Sequence, residues 1–353
     1  MKICYNIIAL FLIVFNACKY QPDQPALNDF NTVIEIVEYD SIYSNNDISI
    51  IIKIECYNNL LITSTIASKD DTHFSFFDLE KGELFGNWGQ QGQGPNEFLQ
   101  ISGRFSIIDS QLVFIDWMKK EINYVQISSI LNNEKTLNIK KESYPYTVDF
   151  RPTTDIVIIN DKKIALGSFS DSRFGVLDEE NNIIDCPSDY PFNYESITGI
   201  YKGAAFNSMI ESNVEQSKFV ISTFASDIFE IYQIKKHEIN RIYLSPLNHI
   251  PKIKKSPRRN FGYSIDYDQS IGGLLRMSVS KDLICFSYTS KSYNESSNSR
   301  HLSNEILCFD WDGKKIKKYI LPFPINTFCI DRDIIYGARE YDNETVIYKF
   351  KMI

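Results

Sequence analysis

The sequence predicts an all-β protein built as a six-bladed β-propeller, because a short apolar strand recurs six times and each copy is followed by a second strand and a tight turn. The copies begin at residues 60, 112, 163, 218, 283 and 334, so they start 52, 51, 55, 65 and 51 residues apart. Self-similarity at a period of about 50 residues is typical of propellers, in which four antiparallel strands form each blade.

A second apolar strand follows each copy of the first, and the two together form the middle of a blade. These second strands are expected at residues 73–78, 122–126, 173–178, 228–232, 305–310 and 345–350. The turns that come next, such as Asp78–Gly82 and Asp310–Gly313, are rich in Asp and Gly, which tolerate the positive φ of tight hairpins. A further strand after the turn, for example at residues 83–88 and 238–244, completes the four-stranded unit.

The two ends of the repeat predict how the ring closes. The sixth unit reaches Ile353 directly after its third strand, so that blade still needs a fourth strand. Residues 32–39 alternate between apolar and polar, as a half-buried strand does. We therefore expect the propeller to span residues 32–353, with the N-terminal strand completing the last blade and removing its open edge.

The first residues predict export. A basic residue precedes an apolar run over residues 3–15, which is too short for a membrane-spanning helix of about 20 residues and is typical of a signal peptide. Ala17 followed by Cys18 resembles a bacterial lipobox, which implies a signal peptide over residues 1–17 and lipid attachment at Cys18. Residues 18–31 are then expected to form a lipidated tether. An ordinary secretory cleavage is the alternative.

Five cysteines remain after this leader, and they favour neither a metal site nor a redox motif. They are Cys56, Cys186, Cys285, Cys308 and Cys329, an odd number with no C-x-x-C spacing. Most are expected to be small buried hydrophobic residues. A disulfide between Cys308 and Cys329 is geometrically conceivable in neighbouring strands, but a sequence cannot fix the Cα separation that a disulfide requires.

Several stretches resemble the six-bladed, TolB-like and NHL-like β-propeller lipoproteins of gut Gram-negative bacteria. The most specific are the Gly-rich stretch 86–98, the Tyr-Lys-Gly at 201–203, and the tail that runs from Glu305 through Gly337 to Lys351. The resemblance covers residues 32–353. It implies a propeller fold and an exported lipoprotein, and for most members of the family no established biochemical activity.

Loop lengths predict where a ligand binds. With strands lettered A to D from the axis outwards, the A–B and C–D turns lie on one face and are short, whereas long B–C and D–A segments, such as 187–205 and 245–272, lie on the other. Long loops on a rigid scaffold are the usual seat of binding. The candidate binding residues of this face are Trp117, Arg173, Tyr194, Tyr201, Lys254, Lys255, Arg258 and Arg339.

These candidates have structural interpretations as well as functional ones. The basic residues within 252–259 could attract a phosphate- or carboxylate-bearing polymer such as lipopolysaccharide or peptidoglycan, or form a solvated loop. Tyr194 and Tyr201 could stack on sugar rings, or pack over the mouth of the propeller. The Gly-rich loop 86–98 lacks the Gly-Lys-Ser/Thr ending and the helix of a phosphate-binding loop, so we expect a structural turn there.

Charge and motif content limit the function classes. The net charge of −8 argues against a dedicated nucleic-acid binder, which needs a basic footprint. The four histidines lie in different units without the paired spacing of a metal centre, and there is no G-x-S-x-G nucleophile motif. No cofactor and no metal are therefore expected.

We therefore expect a membrane-anchored lipoprotein of the cell envelope whose propeller binds a glycan, a peptide or a partner protein without chemistry of its own. The lipid on Cys18 would hold it at the outer membrane, on the periplasmic or the surface side. Two alternatives stay open. One is a propeller lyase or hydrolase acting on an envelope or dietary polymer, because acids from separate blades can converge near the axis. The other is a scaffold subunit of an outer-membrane assembly.

Overall fold

The structure is a computed structural model that is almost entirely β. It describes residues 26–45, 50–65, 70–132, 137–144, 150–169, 172–194, 197, 201–236, 238–256, 262–292, 302–341 and 344–352. Two N-terminal strands, β1 (Val33–Glu35) and β2 (Tyr39–Asn45), precede six sheets that follow one another along the chain. The described part of the chain also holds two short helices, α1 (Ile127–Leu131) and α2 (Tyr201–Ala205).

The first three sheets each contain four antiparallel strands that are hydrogen-bonded in sequence order. Blade 1 comprises β3 (Ile51–Tyr57), β4 (Leu60–Thr65), β5 (Thr72–Asp78) and β6 (Glu83–Gln90). Blade 2 comprises β7 (Ile101–Ile108), β8 (Gln111–Asp116), β9 (Glu121–Gln126) and β10 (Ile139–Ser143). Blade 3 comprises β11 (Phe150–Ile159), β12 (Lys162–Phe169), β13 (Gly175–Leu177) and β14 (Ile183–Asp185).

The last three sheets complete the ring. Blade 4 comprises β15 (Ser208–Asn213), β16 (Lys218–Thr223), β17 (Phe229–Lys235) and β18 (Glu238–Leu244), and a hairpin of β19 (Ile253–Lys255) and β20 (Tyr263–Ile265) follows it. Blade 5 comprises β21 (Ile271–Val279), β22 (Ile284–Ser292), β23 (Ser303–Phe309) and β24 (Lys315–Ile325). Blade 6 comprises β25 (Thr327–Asp331), β26 (Ile334–Tyr341), β27 (Glu344–Lys351) and, from the N-terminus, β2. The prediction of a six-bladed propeller is confirmed.

Burial explains why the second strand of each blade carried the clearest signal in the sequence. In blade 4, every residue of β16 is buried, because a neighbouring blade covers each side of the sheet. Strands covered on both sides read as continuous apolar runs. The outermost strand of blade 1, β6, instead alternates between exposed and half-buried residues over its first six positions. The position of a strand in its blade therefore decides its hydrophobic pattern.

Aromatic side chains fill the space between neighbouring blades. Phe74 of blade 1 lies 5.7 Å from Phe105 and 5.0 Å from Phe114 of blade 2, measured between ring centroids. Phe229 of blade 4 lies 5.0 Å from Phe286 of blade 5. All five rings are buried, and burying one such ring stabilises a fold by about 1.5–3 kcal/mol. The contacts between blades are therefore a main source of stability.

The closing strand is β2, and not residues 32–39 as the sequence suggested. β2 pairs antiparallel with β27, with Tyr39 opposite Phe350 and Asn45 opposite Thr345. β1 instead pairs parallel with β24, and so adds a fifth strand to blade 5. An alternating pattern identifies a strand but not the sheet edge that it joins, so the kind of closure was predicted correctly and the closing segment was not.

The N-terminal segment packs on the propeller from Leu27 onwards, which is before the start predicted at residue 32. Leu27 and Phe30, inside the predicted tether 18–31, are buried in the core cluster that contains Phe309 and Trp311. The Nζ of Lys315 donates hydrogen bonds to the backbone oxygens of Ala26 and Asp29, at 2.7 and 2.9 Å. Residues 26–31 therefore belong to the folded body, because Leu27 and Phe30 bury their apolar side chains against the propeller. Residues 1–25 lie outside the described part of the chain.

The two faces of the disc differ as predicted, with one exception. The short-loop face carries the A–B and C–D turns; two-residue turns such as Asn160–Asp161 have the positive φ values of tight hairpins. Its exception is the connection 127–138 of blade 2, which contains α1. The long-loop face carries the B–C and D–A connections. Among these, residues 186–207 contain α2 and residues 245–270 contain the β19–β20 hairpin.

Removing β2 is predicted to open the ring. A chain that begins at residue 50 loses the strand that pairs with β27 and the ring contact between Tyr43 and Phe77, which are 4.8 Å apart. We expect its melting temperature to fall by more than about 10 °C, because an edge strand is exposed and two blades lose their contact. A chain that begins at residue 37, which lacks Leu27, Phe30 and β1 but keeps β2, is the control and should melt well above the chain that begins at residue 50. Equal melting of both truncations, measured by differential scanning calorimetry, would contradict this role of β2.

Candidate functional site

The six innermost strands contact one another around the whole ring and enclose a small cavity on the axis. Its lining comes from every blade: Ile52 and Lys53 on β3, Arg104 on β7, Asp155 on β11, Met209 and Glu211 on β15, Arg276 and Met277 on β21, and Thr327 on β25. The cavity volume is about 40 Å³, which is room for about three water molecules. This cavity, as the described residues line it, therefore has space for water or a small ion, and none for a sugar ring or a peptide.

Ion pairs hold most of the axial charges. Lys53 of blade 1 reaches across the axis to Glu211 of blade 4, the opposite blade, and its Nζ also lies 3.4 Å from Glu55. Arg104 of blade 2 pairs with Asp155 of blade 3 at 3.1 Å, and donates a second hydrogen bond to the Ser208 backbone oxygen of blade 4. These contacts tie blades 1 to 4 together at the centre of the disc.

The environment of this cluster shifts the pKa of two groups. Burial by itself lowers the pKa of Lys53, but the carboxylates of Glu211, Glu55 and Asp155 outweigh burial and raise that pKa above its usual value. Burial raises the pKa of Glu211 to about 7, and Glu55 and Asp155 add to the rise while Lys53 opposes it. Three carboxylates thus surround the single ammonium of Lys53 and stabilise its charged form.

Arg173, a predicted binding residue, lies inside the protein and not on its surface. Its side chain is only 1% exposed, and its Nε donates to Glu230 at 2.7 Å. Its other two nitrogens donate to the Phe206 backbone oxygen and to the Thr223 hydroxyl, at 2.9 and 2.7 Å. The other oxygen of Glu230 accepts hydrogen bonds from Arg241 and from the Tyr232 hydroxyl. The network is satisfied internally, and it joins the B–C loop of blade 3 to the sheet of blade 4.

The Gly-rich stretch forms a structural turn on the long-loop face. The backbone N–H of Gly94 donates to Glu97 at 2.8 Å, and Phe98 is fully buried against Phe114, with ring centroids 4.8 Å apart. A Cβ at Gly92 would lie only 2.1 Å from an oxygen of Glu97. The stretch therefore folds tightly around the carboxylate of its own Glu97, as a structural turn does.

Tyr194 and Tyr201 lie in an aromatic layer that covers blades 3 and 4 on the long-loop face. The Tyr194 ring packs on Phe192 and Phe206, at centroid distances of 5.1 and 5.6 Å, and its hydroxyl donates to the Pro251 backbone oxygen. Burial raises the pKa of Tyr194 well above its usual value. Tyr201 faces Tyr263 of the β19–β20 hairpin, at 6.4 Å. The described parts of the two long D–A loops therefore pack against each other in one layer.

The basic hairpin is partly neutralised by its own acids. Lys254 donates to Asp266 at 3.0 Å and lies 3.6 Å from Asp268, and the hydrogen bond to Asp266 raises the pKa of Lys254. Lys255, on the same strand, is exposed. Arg258 lies outside the described residues. The hairpin therefore presents less free positive charge than the sequence implied.

Trp117 lies in the B–C turn of blade 2, and Arg339 lies on β26 two residues before that strand ends at Tyr341, so both are on the side of the long-loop face. Trp117 is 37% exposed and Met118 is 62% exposed, so the B–C turn of blade 2 presents two large apolar side chains to solvent. The acid of Asp116 fixes this turn, because its two oxygens accept hydrogen bonds from the backbone N–H groups of Leu99 and Met118. The guanidinium of Arg339 lies 5.3 Å from the centroid of the Phe323 ring.

A carboxylate–imidazole pair on the same face was missed by the sequence analysis. The Nδ1 of His249 lies 2.8 Å from Asp227, and the His249 backbone N–H donates to the same carboxyl group at 3.0 Å. Asp227 is 1% exposed whereas His249 is 46% exposed, and burial raises the pKa of Asp227. The two residues lie in different loops of the chain, so no local motif could have indicated the pair. The buried carboxylate therefore fixes the orientation of an imidazole that is nearly half exposed.

The described residues hold no group of three His, Cys, Asp or Glu side chains that could bind a metal ion. In the same part of the chain, no helix is both long enough and apolar enough to cross a membrane. Cys18, the predicted lipid-attachment residue, lies outside the described residues.

The fold and its ring of six sheets define a six-bladed propeller. The model of the TolB-like six-bladed propeller family matches residues 30–333, and the chain belongs to that family. No curated protein matches the sequence.

Two solved structures have the same fold. A protein of Bacteroides fragilis described as exported is 14% identical, with a TM-score of 0.58 over 91% of this chain and 100% of its own. A member of the DUF4221 family from Bacteroides vulgatus is 12% identical, with a TM-score of 0.55 over 90% of this chain and 98% of its own. At this level of identity the likeness concerns the fold alone.

Breaking the buried ion pair between blades 3 and 4 is predicted to be strongly destabilising. Glu230→Gln leaves the guanidinium of Arg173 buried without a counter-charge, which typically costs about 3–5 kcal/mol. Glu38→Gln is the matched control, because Glu38 pairs with Lys351 at a site where both side chains are more than half exposed, and exposed pairs contribute about 0–1 kcal/mol. Urea denaturation measures both variants, and a loss below about 1 kcal/mol in Glu230→Gln would contradict the prediction.

Proposed function

We propose that the protein is a lipid-anchored component of the cell envelope, held at the outer membrane through Cys18, whose propeller binds a glycan, a peptide or a partner protein on its long-loop face without chemistry of its own. The sequence supports the anchor through its signal peptide and lipobox resemblance. The fold family and the exported relative of the same fold support export.

The observation that carries the proposal is the position at which the chain joins the propeller. Ala26 is bound by Lys315, the first residue of β24, beside the C–D turn of blade 5 on the short-loop face. Residues 19–25 separate it from Cys18, and seven extended residues reach at most about 25 Å. A lipid on Cys18 would therefore keep the membrane close to the short-loop face. The long-loop face, with its aromatic layer and exposed Trp117, would point away from the membrane.

The axial cavity supports binding over chemistry. Its acids and bases are largely paired with one another, as in Lys53 with Glu211 and Arg104 with Asp155, and about 40 Å³ admits water but no polymer. A polymeric ligand would therefore rest on the loops of the face. There Trp117 offers a ring for stacking on sugars or on apolar side chains, and Lys255 offers an exposed cation for phosphate or carboxylate groups.

Photo-crosslinking in the native envelope tests which face binds. A photoreactive amino acid is placed at Trp117 or at Lys255, and its matched controls are at Glu215 and Arg332, which are exposed in turns of the short-loop face. We expect a discrete adduct with a protein, peptide or glycan from the long-loop positions, at several times the yield of the controls.

Purified lipopolysaccharide and peptidoglycan fragments serve as the glycan probes, and Trp117→Ala should weaken binding about tenfold.

Equal crosslinking from both faces, or from the short-loop positions alone, would overturn this orientation. A single stoichiometric protein adduct from the long-loop face would favour the scaffold form of the proposal, in which the protein is a subunit of an outer-membrane assembly.

Mass analysis of the N-terminal peptide in the wild type and in Cys18→Ser checks the lipid separately. An unlipidated wild-type protein would overturn the anchor.

The Asp227–His249 pair favours a second candidate function, a hydrolase or lyase acting on an envelope or dietary polymer. The half-exposed imidazole, oriented by a buried carboxylate, has the arrangement of a general base. If the purified protein turns over an envelope or dietary polysaccharide, His249→Ala should lower the rate by about 10²–10⁴, while Arg332→Ala, in an exposed turn of the short-loop face, should leave kcat unchanged. Absence of turnover, or turnover that is unchanged in His249→Ala, would contradict this candidate.

A further inference from the structure

We propose that four of the cysteines form two disulfides, Cys56–Cys329 between blades 1 and 6, and Cys285–Cys308 within blade 5. The inference rests on the export part of the proposed function, because disulfides persist in oxidising compartments and are rare in the cytosol. The first bond would fasten the ring covalently at the seam where the two ends of the propeller meet.

Cys56 and Cys329 face each other across the closing seam. Cys56 lies on β3, the innermost strand of blade 1, and Cys329 lies on β25, the innermost strand of blade 6. Their Sγ atoms are 3.3 Å apart although 273 positions separate the residues along the chain. A disulfide needs an S–S distance of about 2.05 Å, so a small side-chain movement brings the two atoms to bonding distance.

Cys285 and Cys308 are direct partners on neighbouring strands. They lie opposite each other in the antiparallel register of β22 and β23, and their Sγ atoms are 2.7 Å apart. Both residues are buried, at 2% and 0% exposure. The pairing differs from the conceivable Cys308–Cys329 bond of the sequence analysis, because the fold gives each of those two residues another partner.

Cys186 provides an internal reference. It is exposed, in the segment after β14, and none of the other four cysteines is its partner among the described contacts. The odd count of five thus resolves into two facing pairs and one residue that keeps its thiol.

The order of events follows from burial. Burial raises the pKa of the Cys285 and Cys329 thiols, and so disfavours the thiolate that attacks a disulfide. The bonds would therefore form while the blades assemble and not after they have packed. In each case the two thiols lose two protons and two electrons, and the disulfide of an external thiol–disulfide oxidant accepts them and becomes two thiols.

Differential alkylation of the full-length protein, isolated from the native envelope, tests the pairing. The protein is denatured and labelled with N-ethylmaleimide before and after reduction, and its peptides are analysed by mass spectrometry. Before reduction we expect label on Cys186 and on none of the four paired residues. After reduction we expect label on all five. Label on Cys56, Cys285, Cys308 and Cys329 without reduction would overturn the proposal for the native protein.

Refolding separates the pairing from the compartment. The same protein is reduced, denatured and refolded with oxidised glutathione, and the two disulfides should form in the pairs stated. Failure to form them, or other pairings, overturns the geometric inference whatever the location of the protein. If the stated pairs form on refolding but the isolated protein has free thiols, the disulfides are absent from the native state. The geometric inference would then stand, and the export proposal would be wrong.

Melting temperature supplies a second readout. We expect the wild type to melt about 4–8 °C lower after it has been unfolded, reduced and refolded with a reductant present, because each cross-link restricts the unfolded chain. The variant Cys56→Ser/Cys329→Ser should lose part of this sensitivity, and Cys186→Ser, the control, should keep all of it. If the reductant leaves the wild type unchanged, the structural role of the bonds is overturned.

Discussion

The antiparallel pairing of β2 with β27 is the interaction on which the rest of the structure depends. It places strands from opposite ends of the chain in one sheet, so that blade 6 is complete and the ring has no open edge at the seam. Tyr43 of β2 also packs on Phe77 of blade 1, so the same strand joins the last blade to the first. The facing pair of Cys56 and Cys329 lies on this seam as well.

Ring closure brings the six innermost strands together, and their polar residues then have to satisfy one another. Lys53 and Glu211 come from opposite blades, and Arg104 and Asp155 come from adjacent ones. A buried charge without a partner is costly, so the packed axis is a structural solution that leaves about 40 Å³ of space. Function is thereby directed to the loops, where Trp117 and the aromatic layer around Tyr194 lie at the surface of a rigid scaffold.

The loops themselves divide the two faces by role. The short-loop face receives the N-terminal segment, in which Leu27 and Phe30 join the core cluster between blades 4 and 5. The long-loop face carries the two packed D–A loops and the Asp227–His249 pair. Buried networks such as Arg173 with Glu230 hold the loops to the sheets. An Arg and several Tyr that the sequence analysis interpreted as candidate binding residues thus serve in part to hold the loops of the long-loop face in place.

The sequence by itself determined the six-bladed fold, because strands covered on both sides must be apolar and the hairpins between them must carry turn residues, and both are local signals that repeat with the blade. Only the tertiary structure decided the rest. In the folded protein β2, and not residues 32–39, is the closing strand, and Arg173 is buried. Lys254 pairs with Asp266, and Asp227 lies beside His249. Each of these depends on contacts between residues that are distant along the chain or on the edge that a strand joins, and no local pattern of residues specifies them.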